Sequence, residues 1–515
     1  MKIKHLIKDK FNTFKILVKN YKLDEKKHQK KGIKWMLKRE LKLNKYNPYC
    51  YGGILGDEMG LGKTIQVIGT MVCNFKPNTL IVVPVFLLEQ WYSEIYKWTG
   101  HKSIIFHGVN KRNITPEILK QSPIIITTYG HIQKETDISK ISDEKNEKYK
   151  KNLLFNMKFD RIVFDEAHHL RNSKSNKHKG AKELKSKIKW FISGTPIQNK
   201  IGDLYSLLDI LGFSPSVYKD SKILSIILKS ILLKRTKSEV GIKLPELRLH
   251  NLSVEWQNNN EKMLAQDIHR LCSFHLSKST RPINTIVSNY CSKYESVLPI
   301  LIKARQMCTL PKLISINENH EEYEENHEEY EEYEEYEKNH EENLIENQDK
   351  NSKSYNIDTA INGLSKINAV CSQIKKNNNK RSKIIFCHFR REIDIIKSKL
   401  DSDLNVEIID GRITKNKRIE ILNDKTIDIL ILQIMTGCEG LNLQYFKEIY
   451  FVSPHWNPAV QMQAISRCHR IGQTESIDVY MFNMNNFDNE MGINLDYYAT
   501  KIQEKKIEIM NVLDK

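Results

Sequence analysis

Gly60, Gly62, Lys63 and Thr64 stand close together in the run ILGDEMGLGKTIQ, Ile54 to Gln66. Their types and spacing fit one chemistry. Glycines let backbone N–H groups turn inward around phosphate oxygens. A lysine beside them can set its ammonium between the β- and γ-phosphates of a nucleotide, and a threonine hydroxyl can ligate Mg²⁺. The next apolar residues, Ile65, Val67 and Ile68, start a helix whose N-terminal dipole favours an anion. The full pattern G-x-x-x-x-G-K-T is not met, because Asp57 stands where its first glycine belongs. From this stretch alone, a Gly-rich turn capping an ordinary helix is the other reading.

A second acidic motif decides between them. FDRIVFDEAHHL, Phe159 to Leu170, ends an apolar strand on Asp165 and Glu166. Asp165 would hold Mg²⁺ through water, and Glu166 would orient or deprotonate an attacking water. Two surface acids at a strand end are the bland alternative, but with a phosphate loop upstream the pair reads as the second half of an ATP-hydrolysing site. Much later, QMQAISRCHRIGQ (Gln461 to Gln473) carries Arg467 and Arg470 three apart, on one face of an expected helix. Phosphoryl transfer builds charge on γ-phosphate oxygens, and an arginine delivered there is worth roughly 10³–10⁵ in rate in other NTPases. Alone, R-x-x-R reads as a solvated basic face. In a chain with a complete first site it becomes a candidate finger pair. Gln29 opens the helical stretch HQKKGIKWMLKRE, with Gly32, Trp35, Met36 and Leu37 at helical spacing. Its amide is a candidate for pairing with adenine because the phosphate loop comes within one element; otherwise it is a solvated side chain.

The elements that must position these residues are short apolar strands alternating with helices. TLIVVPVF (Thr79–Phe86), PIIITTYG (Pro123–Gly130), Phe159–Leu170 and WFISGTPIQN (Trp190–Asn199) read as buried parallel strands. LLEQWYSEIYKW reads as an amphipathic helix. The fold class is therefore α/β, a doubly wound parallel sheet. Ligands bind such sheets at the carboxyl ends of strands, where Gly60–Thr64, Thr127–Tyr129, Asp165–His168 and Ser193–Thr195 fall. A second α/β lobe begins near Thr359, with strands in SKIIFCHFRREI, VEIIDG, DILILQIMTGCEGLNLQ and EIYFVSP; the stretch after Gln473 reads as helical. The expected organisation is a loose basic arm over 1–23, a first lobe over 24–240, a helical linker or protrusion over 241–316, an acidic low-complexity insert over 317–356, a second lobe over 357–482 and a helical C-terminal segment over 483–515.

The 515 residues are enough for two to four domains. The net charge is +18, unevenly spread. Glu318 to Glu346 holds fifteen Glu against one Lys, so the remainder is near +32. So basic a body points to a polyanionic partner, although an AT-biased genome favouring Lys and Asn codons gives the same composition. The acidic run stays extended through its own repulsion. It reads either as a neutral insertion or as a mimic of nucleic-acid charge. Nine cysteines are scattered without a C-x-x-C pair, which argues against zinc and against a disulfide framework and makes a reducing compartment the default. The N-terminus has apolar runs too short for a signal peptide, and no stretch approaches a membrane span.

The series DEMGLGKT, VVPVFLLEQW, ITTYG, DEAH, SGTPIQN, IIFCHF, GLNLQ and QAISRCHRIGQ resembles the motif set of the Swi/Snf-type helicase-like ATPases of superfamily II, in the right order from Leu23 to about Phe482. LLKRT and KARQMCTLP also resemble linking blocks of that family. The resemblance implies two RecA-like lobes with ATP and Mg²⁺ between them, and translocation on double-stranded DNA, generally without strand separation. It implies partners among nucleosomes or transcription and repair proteins, and a nuclear location. The Lys/Asn/Ile-rich composition also suits a large DNA virus, with a cytoplasmic factory or virion instead. A strand-separating DNA or RNA helicase, and an inactive nucleic-acid clamp, are the competing readings.

By position, the resemblance implies that Gln29 recognises adenine, that the loop with Asp57, Gly60, Gly62, Lys63 and Thr64 binds the nucleotide, and that Thr64 and Asp165 serve the metal. Ser193 and Thr195 would couple nucleotide state to DNA. Gln463, Arg467 and Arg470 would close the site from the second lobe. Thr128, His388, Thr436 and Asn442 would lie near the DNA backbone or the coupling elements. Where the family has A-G-G-x-G, this chain has Thr436, Gly437, Cys438, Glu439 and Gly440; a carboxylate at Glu439 would repel a phosphate track. No segment resembles a bromodomain, chromodomain or RING module.

Overall fold

The computed structural model describes residues 2–20, 26–41, 51–134, 153–195, 201–272, 297–314, 355–438, 441–487 and 493–510. The acidic run, Pro196–Asn199 and Glu439 lie outside the described residues. The chain forms two compact units, Met1–Lys243 with Lys506–Lys515, and Leu244–Lys505.

Unit 1 is built on a seven-stranded sheet in the order β3-β4-β2-β5-β6-β1-β7, with every pairing parallel. Its strands are β1 (Tyr51–Leu55), β2 (Thr79–Val83), β3 (Ile104–Phe106), β4 (Ile124–Thr128), β5 (Lys158–Asp165), β6 (Lys185–Ile192) and β7 (Leu232–Leu233). The apolar runs are continuous because both faces are covered. Ile54, Leu80, Val82, Phe164 and Phe191 pack into one apolar layer, while Leu55, Ile81, Val83, Val163 and Trp190 pack into the other. Helices α2 (Lys27–Glu40), α3 (Lys63–Cys73) and α4 (Leu88–Thr99) cover the second layer through Met36, Val67, Ile68, Trp91 and Ile95.

The stretch expected to be a loose basic arm is largely helical: α1 spans Lys2–Asn20. Ile7, Phe11, Phe14 and Val18 recur at spacings of four, three and four, and all four are buried. Phe11, Phe14 and Val18 pack on Ile33, Leu37 and Cys73. The apolar stripe, rather than the net charge, decides its fate.

Unit 2 has a six-stranded, all-parallel sheet in the order β10-β11-β9-β12-β13-β8. Strands β9 (Lys383–Cys387), β10 (Val406–Ile409), β11 (Ile429–Gln433) and β12 (Glu448–Phe451) fall where the apolar runs place them. Two strands do not. β8 (Leu247–Val254) lies inside the expected helical linker, and β13 (Ile477–Met484) inside the stretch after Gln473 expected to be helical. They pair with each other over eight residues, Leu247↔Ile477 to Val254↔Met484. β8 is an edge strand with half its residues wet, so its sequence LRLHNLSV lacks the continuous apolar run that marks a central strand. Its pairing with a strand more than two hundred residues away is a tertiary fact that no local pattern carries. Among the described residues, no helix is long and apolar enough to cross a membrane.

Candidate functional site

Parallel register sets the geometry of unit 1. Leu55 of β1 pairs with Ile192 of β6, and Ile192 with Asp165 of β5. Leu55 also pairs with Leu233 of β7, and Thr128 of β4 pairs with Val83 of β2. The phosphate loop, Ser193 to Thr195, Asp165–Glu166 and Thr128 therefore leave the sheet along one edge.

The loop runs from Gly56 to Gly62 and feeds directly into α3, so Lys63 and Thr64 are the first two helical residues. Gly62 caps that helix in the left-handed region, at φ 75°. That backbone conformation favours glycine, and a Cβ there would lie 2.4 Å from Gln29 Nε2, so the Gln29 amide would have to shift. Gly60 also has positive φ, at 91°. Lys63 Nζ donates to the Asp57 carbonyl at 2.9 Å. On the other side of the loop, Gln29 Nε2 donates to the Leu61 carbonyl at 3.4 Å, and His28 Nε2 lies 3.0 Å from the same oxygen. Gln29 is thus held on the phosphate loop itself. Gly194, after β6, approaches from a third side: a Cβ on it would stand 3.4 Å from Lys63 Nζ. The Thr195 N–H donates to Ser193 Oγ at 3.2 Å.

The acidic pair closes this cluster. Asp165 is buried; its Oδ2 accepts from Trp91 Nε1 at 2.7 Å, and its Oδ1 accepts from the Glu166 N–H at 3.0 Å. Loss of water on burial, then the neighbouring Glu166 charge, push the Asp165 carboxyl up to about 6. Tyr129 donates its hydroxyl to the Asp165 carbonyl at 2.7 Å. Glu166 has φ 48°, the only positive φ outside glycine among the described residues. Such strain costs of order 1–3 kcal/mol and gathers at functional sites. Glu166 lies 3.4 Å from His168 Nδ1. Two carboxylates after β5, and a lysine and a hydroxyl after β1 on the far side of β6, make a set of hard oxygen donors with one cation. It suits a magnesium–phosphate ligand.

Sequence reasoning passes over two residues of this site. Trp91 reads only as one face of an amphipathic helix, and nothing in a helical period marks an indole that will bind a carboxylate. Arg235, in LLKRT, reads only as part of a linking block. It is bound to Asp57 through Nε at 2.9 Å and through Nη2. Asp57 is fully buried and turned toward that guanidinium.

In unit 2 the candidate residues gather around the helix Pro458–Cys468. Gln463 and Arg467 lie four apart on it, Gln463 buried and Arg467 half-buried. The helix ends earlier than expected. His469 is its C-cap, with φ −92° and ψ 77°, so Arg470 stands in the turn beyond rather than on the same helical face. His469 Nε2 lies 2.7 Å from the Pro245 carbonyl, which pulls the chain off the helical path. Gln473 fixes the turn by donating to the Gln444 and Cys468 carbonyls, at 3.0 and 3.1 Å. The Leu443 N–H bonds the Arg467 carbonyl at 3.2 Å, so Asn442, exposed beside it, sits next to the arginine turn. Burial, then Arg467, lower the Arg470 guanidinium below its ordinary value. Two partly desolvated cations side by side favour an anion between them.

His388 and Thr436 come after neighbouring strands β9 and β11. Thr436 lies on a short helix, Ile434–Cys438, where a Gly-containing loop was expected. His388 is buried, stacked on His455 at 5.8 Å and within 3.3 Å of Arg305 Nη1. Thr128 is buried too, its hydroxyl 3.4 Å from His107 Nδ1.

Two family models match the chain: the SNF2-related domain over residues 28–313, and the helicase conserved C-terminal domain over 365–472. An uncharacterized ATP-dependent helicase of Mycoplasma genitalium is 28% identical over 91% of this chain and 41% of its own length. The DNA repair protein RAD5 of Candida albicans is 27% identical over 89% of this chain and 56% of its own. The chain thus spans about half the length of these relatives, or less. The Sulfolobus solfataricus SWI2/SNF2 ATPase core in complex with dsDNA is 20% identical and aligns over 95% of this chain and 96% of that one, at a TM-score of 0.37.

Proposed function

The chain belongs to the SNF2-related family, and from that premise we propose that it is an ATP-hydrolysing motor that is stimulated by, and translocates on, double-stranded DNA, remodelling nucleoprotein in repair, transcription or chromatin. One observation carries the reading. The phosphate loop, the Ser193–Thr195 exit and the Asp165–Glu166 pair emerge side by side from adjacent parallel strands in register.

Each group then has work to do. Lys63, bonded to the loop carbonyl of Asp57 at 2.9 Å, would exchange that bond for phosphate oxygens. Backbone N–H groups at the start of α3 would bind the same phosphates. Gln29, already on the loop at Leu61, would pair with adenine through its amide. Thr64 and Asp165 would hold Mg²⁺, which supplies positive charge on the β- and γ-phosphates. The buried Asp165 beside Glu166 gains most from a nearby cation. Glu166 would take or orient the water proton. Arg467 and Arg470, partly desolvated and mutually repelling, would stabilise charge developing on the γ-phosphate. Ser193 and Thr195, against the loop through Gly194, would report nucleotide state. A basic body gripping phosphates reads no sequence and binds in a salt-dependent way.

The test compares ATP turnover with duplex DNA, single strands and RNA. Stimulation by duplex, with displacement of a triplex-forming strand, is expected. Preference for RNA would overturn the duplex assignment, and unwinding of a forked duplex would favour a strand-separating helicase. Glu166→Gln should lower turnover by two or more orders of magnitude, roughly the contribution of a positioned base.

A further inference from the structure

The segment that leaves unit 1 is fastened to the first half of the phosphate loop. The pairing of β1 with β7 continues past the sheet. The Gly56 N–H donates to the Leu233 carbonyl at 2.8 Å, and the Glu58 N–H to the Arg235 carbonyl at 2.9 Å. The Lys237 N–H donates to one Glu58 carboxylate oxygen at 2.7 Å, while its Nζ lies 2.9 Å from the other. Residues 233–237 thus form a strap along 56–58.

Arg235 stands in the middle of the strap and holds three elements at once. Its fork takes both Asp57 oxygens. Its Nη1 donates to the His28 carbonyl at 2.7 Å, and its Nη2 to Gln66 Oε1 at 3.0 Å. Gln66 Nε2 donates in turn to Asp57 Oδ2 at 3.0 Å. The loop, α3 and the start of α2 therefore meet at one guanidinium. Gly32 of α2 makes room for this: a Cβ there would fall 1.8 Å from Gln66 Oε1 and 3.0 Å from Arg235 Nη2. The pair has a chemical purpose at the place where a phosphate loop keeps its first glycine. A carboxylate free to approach phosphates would repel them. Arg235 neutralises Asp57 and turns it away, and its fork does so with a geometry no lysine reproduces.

We propose that Arg235 is a positioning residue of the nucleotide site, which sets the phosphate loop through Asp57 and ties it, through the strap 233–237, to the segment that carries the chain on to unit 2. This rests on the nucleotide reading above. Nucleotide bound on the loop orders the strap, and whatever orders the strap tightens nucleotide binding by the same factor, since coupling between sites is reciprocal. A motor stimulated by DNA needs such a link between its ATP site and the rest of the chain.

The experiment measures binding of a fluorescent ADP, KM and kcat for ATP, and stimulation by duplex DNA. The proteins are the full chain and its variants Arg235→Lys, Arg235→Gln and Asp57→Asn with Arg235→Gln, with melting curves on each. R235Q is expected to weaken ADP binding tenfold or more, to raise KM for ATP in step, and to reduce stimulation by DNA, in protein that still melts cooperatively. R235K, with the charge but not the fork, falls between. The double variant, where an amide pair replaces the ion pair, recovers part of the loss. If R235Q lowers the melting temperature but leaves ADP binding, KM and stimulation at wild-type values, Arg235 is only a structural brace and the proposal is overturned. If the unaltered chain binds no ADP, the nucleotide reading falls and takes the proposal with it.

Discussion

At the scale of single residues, Asp165 and Glu166 carry a sign that can be measured. Burial and the Glu166 charge push the Asp165 carboxyl up to about 6, above the ordinary carboxylate value near 4. The fold therefore favours protonated Asp165. That stabilisation is complete below about pH 4 and is lost as pH rises through about 6. Glu166→Gln removes the repelling charge, so the protein without nucleotide should melt higher above about pH 6, by a free energy on the order of 1 kcal/mol. The gain should shrink as pH falls through about 6, where Asp165 becomes neutral. Melting scans from about pH 5 to about pH 8 read it, and an equal gain at every pH would place the effect elsewhere. Trp91 works the other way, because its N–H at 2.7 Å favours the ionised carboxylate. Trp91→Phe should raise the Asp165 pKa further and move the acid limb of kcat/KM for ATP upward, by about one pH unit for a lost hydrogen bond of ~1.4 kcal/mol. An unmoved limb would mean that another group sets it.

At the scale of elements, α2 is a bar held at both ends. Its first turn bonds the phosphate loop at Leu61. Its last turn bonds the opposite edge of the sheet, where Arg39 Nε donates to the Gly52 carbonyl at 2.7 Å. There Glu40, buried, accepts from Arg161 Nε at 2.7 Å and Nη2 at 2.6 Å, from Asn74 Nδ2 at 2.6 Å and from Trp190 Nε1 at 2.9 Å. Removing one partner strands the other charge, so Arg161→Met should cost about 3–5 kcal/mol, while Glu40→Met with Arg161→Met should cost less. Urea unfolding measures both, and a double variant worse than R161M would refute the account. None of this network was legible in the sequence, because Glu40 and Arg161 look like any surface charge until β5 and α2 are packed. The runs TLIVV, IIITT, RIVFD and ILILQ were legible, since a strand covered on both faces must be apolar throughout. The edge strand β8 was not, since a half-wet strand shares its composition with a loop. The positions of the motif residues were legible where an apolar run ends, as with Asp165 at the end of β5 and Lys63 at the start of α3. The partners that hold them, Trp91 and Arg235, come from distant sequence. Arg470 shows the converse. A three-residue spacing promised a shared helical face, and a C-cap at His469 broke it.

At the scale of the whole chain, charge distribution makes the last prediction. The molecule carries +18, but fifteen of its Glu lie between Glu318 and Glu346 against a single Lys, so the remainder approaches +32. Binding to duplex phosphates releases counterions, and log K should fall linearly with log salt with a slope of about −0.9 per phosphate neutralised. A polyanionic run in the same chain would compete for the same cations at high effective concentration if it reaches them. Deleting Asn317–Gln348 should therefore raise duplex affinity at low ionic strength and steepen the salt slope. The two proteins should converge toward about 1 M salt, where the screening length falls to about 3 Å. Turnover at saturating DNA should stay unchanged, because no residue of the ATP site is touched. Fluorescence anisotropy of a labelled duplex across a salt series reads both quantities. Equal affinity and equal slope would make the acidic run a spacer, and the competition idea would be wrong.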